Sequence, residues 1–83
     1  MNKDRREELS DVIDFLTDAK DRLECIRMDE EDSMYNLPEG LQFSATGDAM
    51  QDAIDTMDEI SGKIDEVIDC IVKLQNPPKK SRK

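Results

Sequence analysis

The sequence predicts an all-α protein: an antiparallel two-helix hairpin of coiled-coil type that dimerises into a four-helix bundle. Three observations predict this fold. Of the 83 residues, 40% are charged and only 4% are aromatic, and the chain contains three Gly and three Pro. This composition argues against a β-sandwich or barrel and favours helices. The third observation is an apolar repeat at alternating spacings of three and four, which is typical of coiled-coil seams.

The first predicted helix spans about residues 4–35. Its seam consists of Leu9, Val12, Leu16, Ala19, Leu23 and Ile26. Ile13 lies beside the seam and widens the apolar stripe. Asp4 and Glu7, three residues apart, resemble an acidic capping box at the start of the helix.

The second predicted helix spans about residues 45–75. Its seam consists of Met50, Ala53, Met57, Ile60, Ile64, Val67, Ile71 and Leu74. Ile54 and Ile68 widen this stripe as Ile13 widens the first. Ser44 or Thr46 is the expected N-cap, and the prolines that follow Asn76 end the helix.

The two helices form one domain over residues 1–78, joined by a short connector at 36–44 that makes them antiparallel neighbours. We expect the apolar connector residues Leu37, Leu41 and Phe43 to fold back over the helix ends. A lone hairpin cannot cover both apolar stripes, so we expect a homodimer, with a different helical partner or a solitary hairpin as alternatives. The dimer and core seam is Leu9, Val12, Leu16, Leu23, Ile26, Met57, Ile60, Ile64, Val67 and Ile71.

Charge is distributed unevenly along the chain. The net charge is −9, all 21 Asp and Glu lie between Asp4 and Asp69, and four basic residues lie in a predicted disordered tail at 79–83. The acidic body disfavours direct binding to nucleic acid. The chain shows no membrane span and no signal peptide. Two cysteines, placed about 22 Å apart by the hairpin, suit a reducing compartment, so we expect a soluble cytoplasmic protein.

The residue types argue against an enzyme or a metal site. The chain has no His, which removes the commonest catalytic base and metal ligand. The pair Glu66 and Asp69 superficially resembles a metal motif of all-α nucleotide pyrophosphohydrolases, but the helical phase turns both outward. Residues 29–32 are acidic, but the sixth position of a calcium loop starting at Asp29 is Met34, not Gly. We therefore expect no catalytic residue, no metal and no cofactor.

The most distinctive surface is a line of carboxylates on the first helix, opposite the seam, which we call the acidic ridge. It consists of Asp4, Glu7, Asp11, Asp14, Asp18 and Asp21. Neighbours lie about 5 Å apart along the axis, giving a ridge about 25 Å long. The ridge contains no Lys or Arg, whereas Lys20 and Arg27 flank the seam. It is either a solvated helix face or a mimic of a nucleic-acid backbone that occupies the basic groove of another protein.

The connector carries a family resemblance. The run Tyr35-Asn36-Leu37-Pro38-Glu39-Gly40-Leu41-Gln42, followed by Ser44 and Gly47, resembles a family of small acidic helical-hairpin proteins from phages and mobile elements of Gram-positive bacteria. Departures are the missing Asp after Tyr35, Gly40 in place of Asn and Phe43 in place of Gly. The resemblance covers residues 4–75 and implies no catalytic residues. It implies a setting in a bacterial host cell and favours a protein that binds a host factor.

These observations give two functional hypotheses. The first is a non-enzymatic module whose acidic ridge engages a basic host protein, such as a nuclease or another defence effector. The second is a structural or assembly module whose apolar seam pairs with another helical protein.

Overall fold

A computed structural model describes residues 1–76, and these residues form two long helices packed side by side. Helix α1 is Lys3–Tyr35 and helix α2 is Ala45–Gln75. The predicted all-α hairpin is therefore confirmed. The predicted basic tail at 79–83 lies outside the described residues. Within residues 1–76, neither helix contains an apolar stretch long enough to cross a membrane.

The N-cap of helix α1 lies two residues before Asp4, the position that the acidic capping box suggested. Asn2 is the N-cap, and its side-chain oxygen accepts a hydrogen bond from the Arg5 backbone N–H at 2.9 Å. Asparagine is among the best N-cap residues because its side chain satisfies a free N–H of the first turn. Asp4 lies in that first turn, where its charge favours the helix dipole.

The connector makes a tight turn. The Leu41 N–H donates to the Pro38 carbonyl at 3.0 Å, and Gly40 has φ +93°. A positive φ at the third residue of a turn is the conformation that favours glycine. The Gln42 side-chain amide donates to the Tyr35 carbonyl at 3.3 Å, which ties the connector to the end of α1.

The first turn of helix α2 packs against the backbone of the connector. Ser44 is its N-cap, as expected, but its hydroxyl donates to the Leu41 carbonyl and makes no capping bond to the helix. Gly47 is buried in the first turn. A Cβ at this position would lie 2.1 Å from the Gln42 carbonyl oxygen, so the absence of a side chain permits this close approach.

The contact between the helices follows a three-four spacing on each, with side chains that are buried or half-buried. The contact residues of α1 are Leu9, Ile13, Leu16, Lys20, Leu23, Arg27, Glu30 and Met34. Those of α2 are Gly47, Met50, Ile54, Met57, Ser61, Ile64, Ile68, Ile71 and Gln75, and Ala53 beside this line is half-buried as well.

This contact line is rotated from the predicted seam. Ile13, Ile54 and Ile68, expected beside the seam, lie in the contact, and Ile54 is only 2% exposed. About half of the predicted seam residues, among them Val12, Ile60 and Val67, lie outside the contact. Each helix carries two adjacent apolar lines and part of a third, and one neighbouring helix can cover only part of such a stripe. Lys20 and Arg27 can occupy the contact because their stems are apolar while their charged ends reach its edge.

Candidate functional site

The acidic ridge lies on α1, on the side facing away from α2. All six ridge side chains are exposed. Asp18 forms an ion pair with Arg22 of the same helix at 3.2 Å. The other five ridge carboxylates form no ion pair within the described part of the chain. The ridge is therefore a line of largely uncompensated negative charge.

Two cations that could have neutralised such a face are directed at α2 instead. Lys20 Nζ lies 2.8 Å and 3.0 Å from the two carboxylate oxygens of Asp65. Arg27 Nε lies 2.5 Å from Asp58 Oδ1, and its guanidinium also lies 3.7 Å from Glu31. The hydrogen bond to Asp65 raises the pKa of Lys20, and the one to Asp58 raises the pKa of Arg27. Both groups therefore remain charged well above neutral pH.

Sequence reasoning missed these two cross-helix pairs. Lys20 and Arg27 are seven residues apart, and so are Asp58 and Asp65. In an antiparallel hairpin this equal spacing lets both pairs form in a single register. The equal spacing of the two cations and the two carboxylates could have predicted the pairs from the sequence. The prediction also needs the correct contact line, because only that line places the cations on the side of α1 that faces α2.

The same edge of the hairpin carries polar contacts near the chain ends. The Gln75 side-chain amide donates to the Arg6 carbonyl at 2.9 Å and to Ser10 Oγ at 2.8 Å. With the two ion pairs, these bonds close one edge of the helix contact. We call this edge the polar flank, and it contains Ser10, Asp58 and Asp65.

The opposite edge, which we call the apolar flank, has no such bonds among residues 1–76. Its members recur every seven residues, one position before a contact residue: Val12, Ala19 and Ile26 on α1, and Ala53, Ile60, Val67 and Leu74 on α2. The large ones are exposed, from 40% for Ile60 to 57% for Ile26. A shallow groove of about 490 Å³ lies beside α2, where its lining includes Val67, Cys70 and Leu74.

The predicted dimer and core seam is thus divided between two environments. Six of its members are half-buried between the helices: Leu9, Leu16, Leu23, Met57, Ile64 and Ile71. The other four, Val12, Ile26, Ile60 and Val67, belong to the apolar flank.

The connector is less covered than expected. Leu37 is half-buried, but Leu41 is 47% exposed and Phe43 is 88% exposed. The expectation that Phe43 folds back over the helix ends is therefore wrong. The Gln42 backbone, and not a large connector side chain, lies against Gly47 at the start of α2.

The remaining reactive groups are exposed. Cys25 and Cys70 are free thiols, and both are exposed. Glu66 and Asp69 are also exposed on α2. Across residues 1–76, no three Cys, Asp or Glu side chains converge into a group able to hold a metal ion.

The fold and these surfaces define an all-α helical hairpin with an acidic outer ridge, a polar flank and an apolar flank. No protein-family model, no curated protein and no solved structure matches the chain.

Proposed function

We propose that this chain is a non-enzymatic protein-binding module of phage or mobile-element type that acts in the cytoplasm of a bacterial host. Its acidic ridge engages a basic host protein. The observation that carries the proposal is the separation of charge around α1. Five ridge carboxylates have no cationic partner in the described chain, while Lys20 and Arg27 are held by carboxylates of α2.

A linear array of carboxylates fits a groove that evolved for nucleic acid. Carboxylates about every 5 Å along a straight helix offer Lys and Arg side chains the continuous negative charge that a phosphate backbone offers. The protein that binds the ridge is a nuclease or other nucleic-acid-binding defence effector. The ridge would inhibit this protein by occupying its groove. The same charge keeps the acidic body away from nucleic acid itself.

The test is charge reversal of three ridge residues in the full chain, Asp11→Lys, Asp14→Lys and Asp18→Lys. Helix α2 offers a matched control at Asp52, Asp55 and Glu59, which have the same three-four spacing and are also exposed. Glu59 pairs with Lys63 at 3.3 Å, as Asp18 pairs with Arg22. Both triple variants therefore change the net charge equally and each breaks one i,i+4 ion pair.

Tagged wild-type protein and both variants are used to capture proteins from bacterial extract. We expect the wild type and the α2 control to retain the same basic protein and the ridge variant to lose it, with helicity by circular dichroism unchanged in all three. Equal retention by the ridge variant, or equal loss by both variants, would contradict a role for the ridge.

The exposure of the apolar flank favours a second candidate function. In that case the chain is a structural or assembly module, and the flank packs against a helix of another protein. Such a partner would be retained at high salt, because burial of apolar surface is not screened. Val67→Asp would abolish its capture, whereas reversal of the ridge would not.

A further inference from the structure

The hairpin alone buries very little apolar surface. Ile54, at 2% exposure, is the one large hydrophobic side chain that is buried within residues 1–76. Domains of this size already bury a small share of their surface on folding. Covering the apolar flank would therefore add substantially to the core.

The exposed stripes of the two helices form one continuous face. The ion pairs Lys20–Asp65 and Arg27–Asp58 fix the register, so that Val12 lies level with Leu74, Ala19 with Val67, and Ile26 with Ile60. In an antiparallel pair, the residues that directly precede contact residues project to the same side of the contact plane. Both stripes therefore lie opposite Asp58 and Asp65.

The area of this face matches what a stable dimer requires. From Ala53 to Leu74 the flank is about 30 Å long, and two adjacent helices make it about 20 Å wide, which gives roughly 600 Å². A standard interface buries about 800 Å² of accessible surface on each partner. The accessible surface of a helix pair is larger than its flat area because the side chains form ridges. The flat area of the flank is therefore comparable with the accessible surface that a standard interface buries on each partner.

The border of the apolar flank carries few carboxylates: Glu66 lines the groove, and Glu8 and Asp29 lie at the two ends of the α1 edge. The edge of the flank that lies away from the helix contact is formed by one line of residues on each helix. Between residues 12 and 26 of α1 and between residues 49 and 74 of α2, these lines are Phe15 and Arg22, and Ala49, Thr56, Lys63 and Cys70. No carboxylate occurs among these positions. The cations Arg22 and Lys63 are already paired with Asp18 and Glu59 at 3.2 Å and 3.3 Å.

This low density of carboxylates indicates which partner can cover the flank. Two copies of a chain with net charge −9 repel each other when acidic faces meet. The apolar flank is the side with the fewest carboxylates, so two copies that meet there bring the fewest like charges together.

We propose that the apolar flank is a self-association surface, covered by the same flank of a second copy in a four-helix bundle. The partner is this chain itself rather than a different helical protein. The proposal does not depend on the acidic ridge, because the ridge lies on the outer side of α1 and stays accessible in the dimer.

The first test is the molar mass of the full chain by sedimentation equilibrium over a range of concentrations. The structure supplies a matched pair of substitutions, Val67→Asp and Val72→Asp. Both residues are exposed valines of α2, at 47% and 42%. Val67 lies on the apolar flank, and Val72 continues the seven-residue line of Asp58 and Asp65 on the polar flank.

We expect the wild type and Val72→Asp to have twice the mass of the 9.5 kDa chain, and Val67→Asp to have the monomer mass. If Val67→Asp fails to fold, the milder Val67→Ala is expected to weaken dimerisation about tenfold, because it removes two partly exposed methyl groups from each copy. A wild-type monomer at all concentrations would overturn the proposal. So would a dimer that Val72→Asp dissociates and Val67→Asp does not.

The two cysteines provide an independent readout in the unmodified sequence. Cys70 lines the groove beside the flank, whereas Cys25 is exposed on α1 outside it. We expect alkylation of Cys70 to slow relative to Cys25 as the protein concentration rises through the dimer dissociation constant. A constant ratio of the two rates in a confirmed dimer would place the interface elsewhere and overturn the assignment.

Discussion

Lys20 and Asp65 are joined across the helix contact, with the ammonium nitrogen 2.8 Å and 3.0 Å from the two carboxylate oxygens. Seven residues further along α1, Arg27 makes the equivalent contact with Asp58. The two pairs fix which turn of α1 faces which turn of α2. They also direct two cations away from the acidic ridge, which links the register of the fold to the charge of its outer surface.

The Lys20–Asp65 contact predicts a pH dependence at the alkaline end. The hydrogen bond to Asp65 raises the pKa of Lys20 above its ordinary value of 10.5. A group whose pKa is higher in the folded state stabilises the fold fully below its unfolded pKa and loses that contribution as the pH rises through the folded value.

Replacement of this lysine by arginine, which stays charged at higher pH, isolates the effect. We expect the wild type to lose more stability than Lys20→Arg between about pH 10 and pH 12, as measured by urea unfolding at each pH. The other titrating groups are common to both proteins. Identical pH profiles would mean that the contact contributes nothing to stability in solution.

The glycines of α2 predict opposite effects of the same substitution. Ala is favoured over Gly in a helix interior by about 1 kcal/mol. At Gly62 a Cβ would meet nothing within 4 Å, so Gly62→Ala should raise the free energy of unfolding by about 0.5–1 kcal/mol.

At Gly47 the same Cβ would lie 2.1 Å from the Gln42 carbonyl oxygen and 2.9 Å from that of Leu41. Gly47→Ala must therefore displace the connector, and we expect a net loss of about 1–3 kcal/mol. Urea denaturation of both variants measures the difference. Stabilisation by Gly47→Ala would show that the connector does not rest on α2 as described.

The cysteines test the antiparallel arrangement. Cys25 lies near the connector end of α1 and Cys70 near the C-terminal end of α2, and both thiols are free. Mild oxidation of dilute native protein should produce no Cys25–Cys70 bond within a chain, since a disulfide requires Cα atoms less than about 7 Å apart. Mass spectrometry after non-reducing digestion checks this. An intrachain bond formed without unfolding is incompatible with the hairpin.

The helices and their bounds were predictable because periodicity, capping residues and turn residues all act locally. Ser44 and the short connector identified the start of α2 and the antiparallel order from a few residues each. The contact line was not predictable in the same way. Ile13, Ile54 and Ile68 compete with Val12, Ile60 and Val67 for one partner helix, and hydropathy alone does not rank the two stripes.

The features that accompany the contact line are long-range. The cross-helix pairs of Lys20 and Arg27 and the seating of Gly47 under the connector depend on residues far apart in the sequence. The acidic ridge, by contrast, follows from helical phase alone, so its six positions were predictable. The role of the ridge depends on the protein that binds it, and neither hydropathy nor helical phase identifies that protein.

The salt dependence of capture by the wild-type protein shows whether a partner is held by the acidic ridge. Host proteins retained from bacterial extract are eluted with increasing salt and identified by mass spectrometry. We expect a basic nucleic-acid-binding protein that is released as salt rises, because added ions screen exposed carboxylates. A partner retained unchanged at high salt, or no partner of basic character at any salt, would contradict the acidic ridge as the binding surface.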